Sequence, residues 1–195
     1  MGRKAEVQRK TTETDITLAV DLDGTGEHGI DTGIPFLDHM LALFAKHGLF
    51  DLQVAAKGDL EVDFHHTVED VGLCLGEAIR NAAADKRGIR RFGFASVPMM
   101  ESLATITLDL CGRPYLVFVG DLPAERAGEF DADLIEEFIR ALSNEAGLTV
   151  HVQIVRGRNL HHSAEAIFKA LGRALDEATS IDPRSGQIPS TKGSL

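Results

Sequence analysis

Apolar residues alternate with polar ones along Ile16, Leu18 and Val20, and again along Ile106, Leu108 and Leu110. A period of two marks a strand with one face buried. Leu37, Met40, Leu41 and Phe44 instead fall at helical spacing, as do Leu134, Ile135, Phe138, Ile139 and Leu142. Residues 36–47 therefore read as a helix ahead of Gly48-Leu49, and 134–146 as another ahead of Gly147-Leu148. Each Gly-Leu pair opens a short strand-like run, 52–56 in one case and 149–155 in the other. Two further amphipathic, alanine-rich stretches begin at His65 and His161 and read as helices.

These elements come twice in the same order. Glu13, Asp21, Leu22 and Gly24 are matched 88 residues on by Glu101, Asp109, Leu110 and Gly112. His65, His66 and Glu69 are matched 96 residues on by His161, His162 and Glu165, and Leu75-Gly76 by Leu171-Gly172. Each half reads strand, strand, helix, strand, helix, in about residues 1–90 and 91–183, with a tail at 184–195. Units this short cannot bury a core alone, so the halves should pack together. The predicted class is α+β: one internally duplicated domain, each half a mostly antiparallel or mixed sheet with helices on one face. Gly72, Gly76 and Gly172 cost a helix roughly 1 kcal/mol each against Ala. Close packing against a sheet or helix is the expected reason for them.

The two His-His-x-x-Glu turns carry the chemistry. Residues three or four apart share a helix face, so His65 can share a metal with Glu69, and so can His66, while the repeat supplies a partner set in His161, His162 and Glu165. Adjacent histidines point about 100° apart, so one metal does not take both from the same helix. The simpler arrangement is two metals, each drawing ligands from more than one helix. The repeat nominates two more ligands. His39 stands nine residues before Gly48, and Glu137 ten before Gly147. With one gap allowed, they occupy the same place in each half. Imidazole and carboxylate without thiolate suit octahedral Mn²⁺ or Fe²⁺, with Zn²⁺ possible. His151, in a strand pattern, and His28, in a glycine-rich loop, read as structural or surface residues.

Charge narrows the partners. With 20 basic and 30 acidic residues the net charge is −10, which disfavours nucleic acid. No apolar run approaches the roughly 20 residues of a membrane span. The first ten residues are polar, unlike a secretory signal. Cys74 and Cys111, isolated in apolar runs, read as reduced core residues of a cytoplasmic protein.

Several longer motifs resemble the imidazoleglycerol-phosphate dehydratase family over nearly the whole chain. They are Phe36-Leu37-Asp38-His39-Met40-Leu41, the run from Phe64 to Asp70, and Arg90-Arg91-Phe92-Gly93. Gly112-Arg113-Pro114-Tyr115, the run from Asn159 to Ala170, and the tail from Ile188 to Gly193 complete the set. The resemblance implies a manganese-dependent hydro-lyase of histidine biosynthesis. Its reaction converts D-erythro-imidazole glycerol phosphate to imidazole acetol phosphate and water. It implies two Mn²⁺ per active site, held by His39, His65, His66, Glu69, His161, His162 and Glu165. Several members have His where this chain has Glu137, a competent hard ligand that puts metal preference or affinity in question. It further implies a shell of 24 subunits built from trimers, with sites between neighbouring chains.

The resemblance also assigns the substrate side. Glu13 is the acid-base candidate, and Glu101 reads as its vestigial counterpart. Arg91, Arg113, Lys192, Ser190, Thr191 and Lys169 are implied on the phosphate, with His39 and His47 among the substrate contacts. The tail, disordered by composition alone, becomes a strap that closes over the phosphate. The chemistry is physically reasonable. The hydrogen to be lost has no neighbouring carbonyl to acidify it, so the ring must act as the electron sink. A metal on each ring nitrogen favours a metal-bound imidazolate that expels hydroxide. The residues alone also admit another two-metal enzyme, such as a hydrolase, or a non-enzymatic assembly stapled by metal. Against the hydrolase stands the lack of aspartate-rich bridging ligands, since paired metals about 4 Å apart usually share a carboxylate.

Overall fold

The computed structural model describes residues 2–123 and 126–195. The first half runs β1 (Lys4–Lys10), β2 (Thr14–Asp21), β3 (His28–Asp31), α1 (Pro35–Gly48), β4 (Asp51–Gly58) and α2 (His65–Ala83). The second runs β5 (Phe92–Met99), β6 (Ser102–Asp109), β7 (Tyr115–Val119), a short β8 (Arg126–Ala127) and β9 (Phe130–Asp131), α3 (Asp133–Ala146), β10 (Thr149–Arg156) and α4 (Leu160–Thr179). The helices and strands read from periodicity are all present. The first half has one strand more than the three predicted, and the second has one more besides the short β8 and β9. In β1 only Val7 is buried, because it is an edge strand. β3 has four residues, so neither strand carries a long apolar alternation. His28 opens β3 rather than lying in a loop, and His151 sits exposed in β10.

Both halves form the same mixed sheet. The orders are β1-β2-β4-β3 and β5-β6-β10-β7. The first three strands of each are antiparallel neighbours and the last pair is parallel. The inward residues of β2 and β6, including Ile16, Leu18, Ile106 and Leu108, are buried beneath helices. The principal helix contacts cross between the halves, α1 with α4 and α2 with α3. One apolar core therefore extends through both repeats, from Val7 to Ala178.

The helical glycines sit at these crossings. A methyl on Gly172 of α4 would lie 2.4 Å from the carbonyl oxygen of Phe44 in α1. On Gly76 of α2 it would lie 2.6 Å from that of Leu142 in α3. The two crossings are thus copies of one another, made possible by backbone-to-backbone approach.

The repeats differ in one substantial way. β7 corresponds to β3 at an offset of 88, but α3 corresponds to α1 at an offset of 98. The ten-residue difference is an insertion that contains the β8–β9 hairpin. Periodicity does not foresee it, because its strands have two residues each. The matched helices both have 14 residues, and a left-handed residue follows each, Leu49 in one and Gly147 in the other. His39 and Glu137 are thus both fifth in their helices, and no gap is needed to align them.

Candidate active site

The side chain of Asn159 caps α4 by accepting a hydrogen bond from the His162 backbone N–H. This starts the helix so that His161 and Glu165 share one face. Because α1 packs alongside, His39 reaches the same point from the other half. The Nε2 atoms of His39 and His161 donate to a single oxygen, Glu165 Oε1, at 3.2 and 3.0 Å. The possible ligand atoms of these three residues all lie within 4.8 Å of one another. Lys169, one turn on, donates to Glu165 Oε2 at 2.6 Å. Burial pushes the Glu165 carboxyl up, but hydrogen bonds from Lys169, His39 and His161 outweigh it, and the group is held at about 2. An anion flanked by two imidazole nitrogens is a donor set that fits a divalent cation of hard or borderline character.

The second histidine of each pair points elsewhere, as adjacency on a helix requires. The rings of His65 and His66 are 6.3 Å apart and perpendicular, and those of His161 and His162 are 6.4 Å apart at 81°. Each second ring is oriented by a carboxylate. His66 Nδ1 donates to Asp59 at 3.0 Å, and His162 Nδ1 donates to Glu101 at 2.8 Å. The contact raises the pKa of His66 and holds the Glu101 carboxyl at about 2. A carboxylate on one ring nitrogen fixes the tautomer and leaves the other free to ligate. Glu101 is therefore not vestigial. Asp59 was missed, because nothing in sequence spacing connects a loop aspartate to a ring seven residues later. Glu13 stands half-exposed, its Oε1 3.9 Å from His66 Nε2.

The first half has no converged counterpart of the His39 cluster. His65 Nε2 and Glu69 Oε2 are 3.9 Å apart, both well exposed. Glu137 lies 3.9 Å from Arg140 on its own helix. Among the described residues, only His39, His161 and Glu165 meet closely enough to form a metal-sized group. The β8–β9 insertion borders that group. Phe130 packs 5.0 Å from Phe36, whose ring meets His161 edge-on at 5.4 Å. These residues line a cavity of about 540 Å³.

A second, cationic cavity of about 710 Å³ lies elsewhere, lined by Arg91, Arg113, Ser190, Thr191 and Lys192 among others. The tail is held over it. Gly88 N donates to Gln187 O at 3.0 Å, and Arg91 Nη1 donates to Pro189 O at 2.9 Å. Arg91 also forms a two-pronged pair with Asp109, at 2.7 and 2.9 Å. Lys169 and His47 do not join this cavity. Lys169 is bound to Glu165, and His47 lies near Lys169 and Arg173, its pKa lowered by burial and by those two cations.

The two cavities flank opposite ends of α4. Arg91 N donates to Ala178 O near the C-terminus of the helix, while His161 and Glu165 lie in its first turns. Thirteen helical residues separate Glu165 from Ala178, about 20 Å at 1.5 Å per residue.

Comparison with known proteins gives a consistent result. Residues 32–175 match the family model described as imidazoleglycerol-phosphate dehydratase. Curated imidazoleglycerol-phosphate dehydratases from Geobacter metallireducens and Acetivibrio thermocellus are 55% and 58% identical to the chain, over the full length of both partners. The crystal structure of the Staphylococcus aureus enzyme superposes with a TM-score of 0.83 at 39% identity, covering 92% of this chain and 99% of that one. The Pyrococcus furiosus enzyme, solved in complex with (S)-C348, gives 0.84 at 35% identity, covering 97% of this chain and 100% of that one.

Proposed function

The chain belongs to the imidazoleglycerol-phosphate dehydratase family, and from that premise we propose how its residues carry the reaction. As a member it is a hydro-lyase of histidine biosynthesis, which removes the hydrolase and metal-staple readings. No helix among the described residues is long and apolar enough to cross a membrane. The working location proposed is the cytoplasm.

We assign His39, His161 and Glu165 to one Mn²⁺ and His65, Glu69 and Glu137 to a second. The single observation that supports the first set is the convergence of two imidazoles and a carboxylate from different repeats on one point; the second set follows from it by the repeat. Bound there, the metal ions supply Lewis acidity toward the substrate's imidazole ring. His66 and His162, turned away and oriented by Asp59 and Glu101, complete the ligand sets of neighbouring chains. This agrees with the separation along α4. A substrate whose ring-to-phosphate span is under roughly 10 Å, about three residues of extended chain, cannot reach from Glu165 to the level of Ala178, about 20 Å along α4. The cationic cavity of one chain therefore serves the metal group of another, within a 24-subunit shell built from trimers.

The protein groups divide the remaining work. Arg113, Lys192, Ser190 and Thr191 bind the phosphate, and the tail closes over it. Arg91, already paired with Asp109, holds the tail by its Pro189 contact and presents its remaining donors to the phosphate. His47 and Lys169 flank the substrate from the metal side. Glu13 moves the proton on the substrate's carbon chain. Asp59 has taken over the orienting of the neighbouring histidine, which leaves the Glu13 carboxylate free for this role.

Turnover tests the assignment. Purified protein with Mn²⁺ should convert imidazole glycerol phosphate to the ketone, and a chelator should stop it. Absence of turnover in metal-saturated protein would defeat the reading.

A further inference from the structure

Lys86 lies in the connection between α2 and β5 and belongs to none of the motifs. It is 8% exposed. Its backbone is left-handed, with φ 59°, and its N–H donates to Ala83 O at 2.9 Å. This turns the side chain beneath the Gly112 turn. A methyl on Gly112 would lie 3.5 Å from the Lys86 Nζ and 3.4 Å from the backbone carbon of Leu195. Gly112 and Leu195 both line the cationic cavity, so the ammonium stands immediately behind its wall.

Among the described residues, no carboxylate lies within ion-pair distance of Lys86. The nearby acid, Asp109, is engaged at both oxygens by Arg91. Burial lowers the Lys86 pKa, offset in part by the fields of Cys111 and Asp109. A cation without a carboxylate partner beside an anion-binding wall is free to act on an arriving anion. The charges point the same way. Arg91 and Asp109 cancel, so Arg113, Lys192 and Lys86 are the remaining basic side chains at the cavity and its wall. A phosphate monoester brings about −1.5 to −2 at neutral pH.

We propose that Lys86 is a substrate-positioning residue, a further cation that holds the substrate's phosphate from behind the Gly112 turn. The proposal rests on the reading of the tail cavity as the phosphate seat, and the test separates the two. Inorganic phosphate is titrated against intact wild-type protein, Lys86→Met, Lys86→Arg and Arg113→Ala, with affinity read from the rise in melting temperature. Lys86→Met should weaken phosphate about tenfold, the scale of one charge acting across a few ångströms of protein. Lys86→Arg should restore most of that loss. With substrate, Lys86→Met should raise KM by a similar factor and leave kcat within about twofold, since its field acts equally on the phosphate in ground and transition states. Without phosphate, Lys86→Met should melt no lower than wild type, because a buried charge has been removed. If Lys86→Met fails to fold, Lys86→Gln carries the same comparison.

Unchanged phosphate affinity in Lys86→Met alongside a loss in Arg113→Ala overturns the role of Lys86 and leaves the cavity's assignment standing. Unchanged affinity in both overturns the cavity's assignment and the proposal with it. A lower melting temperature without phosphate, together with unaltered affinity, makes Lys86 a latch for the tail and likewise overturns the proposal.

Discussion

Glu101 Oε2 accepts a hydrogen bond from His162 Nδ1 at 2.8 Å. One repeat earlier the corresponding glutamate, Glu13, does not hold its histidine this way. Asp59 takes the Nδ1 of His66, and Glu13 stands 3.9 Å from the far nitrogen. A duplicated carboxylate–histidine contact has thus diverged, one copy kept for orientation and the other set free.

That divergence predicts different phenotypes for matched substitutions. Glu101→Gln should weaken manganese binding about 10- to 100-fold, the usual cost of losing a partner that orients a metal-ligating histidine. Glu13→Gln should retain metal and assembly but lose most of kcat. Isothermal titration with Mn²⁺ and steady-state kinetics on both variants check this. Near-normal kcat in Glu13→Gln would remove it from the acid-base role.

Glu137 occupies the helical position of His39 but lies beside Arg140. Glu137→Ala should weaken one of two manganese ions and leave the other unaffected. Metal content after dialysis, measured by atomic emission, should fall from two toward one per chain. Unchanged stoichiometry and affinity return Glu137 to the surface.

Gly172→Ala tests the helix crossing. The added methyl gains roughly 1 kcal/mol of helix propensity. It would also lie 2.4 Å from the Phe44 carbonyl oxygen, a backbone atom that cannot rotate away. Overpacking of this kind costs about 1–3 kcal/mol, so the clash should win and the melting temperature fall. Gly76→Ala should behave alike, since its methyl meets Leu142 in the same manner. A rise in melting temperature for either would show that α1 and α4, or α2 and α3, can separate at little cost.

Cys74 should be inert in the folded chain. Burial pushes its thiol up to about 12 from an ordinary 9.0. The unfolded thiol ionises near 9.0 while the folded one stays protonated. The thiol's contribution to stability is therefore fully present below pH 9.0 and is lost as pH rises toward 12. Iodoacetamide at pH 8 should leave Cys74 unmodified in native protein and label it in denaturant, as read by peptide mass. Rapid native labelling would contradict the burial.

Much was legible from sequence because it repeats. Periods of two and of three to four located both central strands and all four helices, and the 96-residue echo placed the two His-His-x-x-Glu turns on matching helices. The ten-residue insertion was not legible, because its strands are too short to carry a period. The edge strand β1 was missed because it buries one side chain. Which carboxylate holds which ring was also out of reach, since Asp59 and Glu101 meet their histidines through the approach of separate elements.

The sequence by itself determined the family and the reaction, because its motifs together resemble one family, and it nominated groups for metal and phosphate from residue types and spacing. Tertiary structure alone decided how those groups combine. Packing α1 on α4 brings His39 to Glu165 from the other repeat. The length of α4 sets the cationic cavity far from that cluster. The Gly112 turn sets the Lys86 ammonium against the cavity wall. Distance and burial are properties of packed elements, and no reading along the chain contains them.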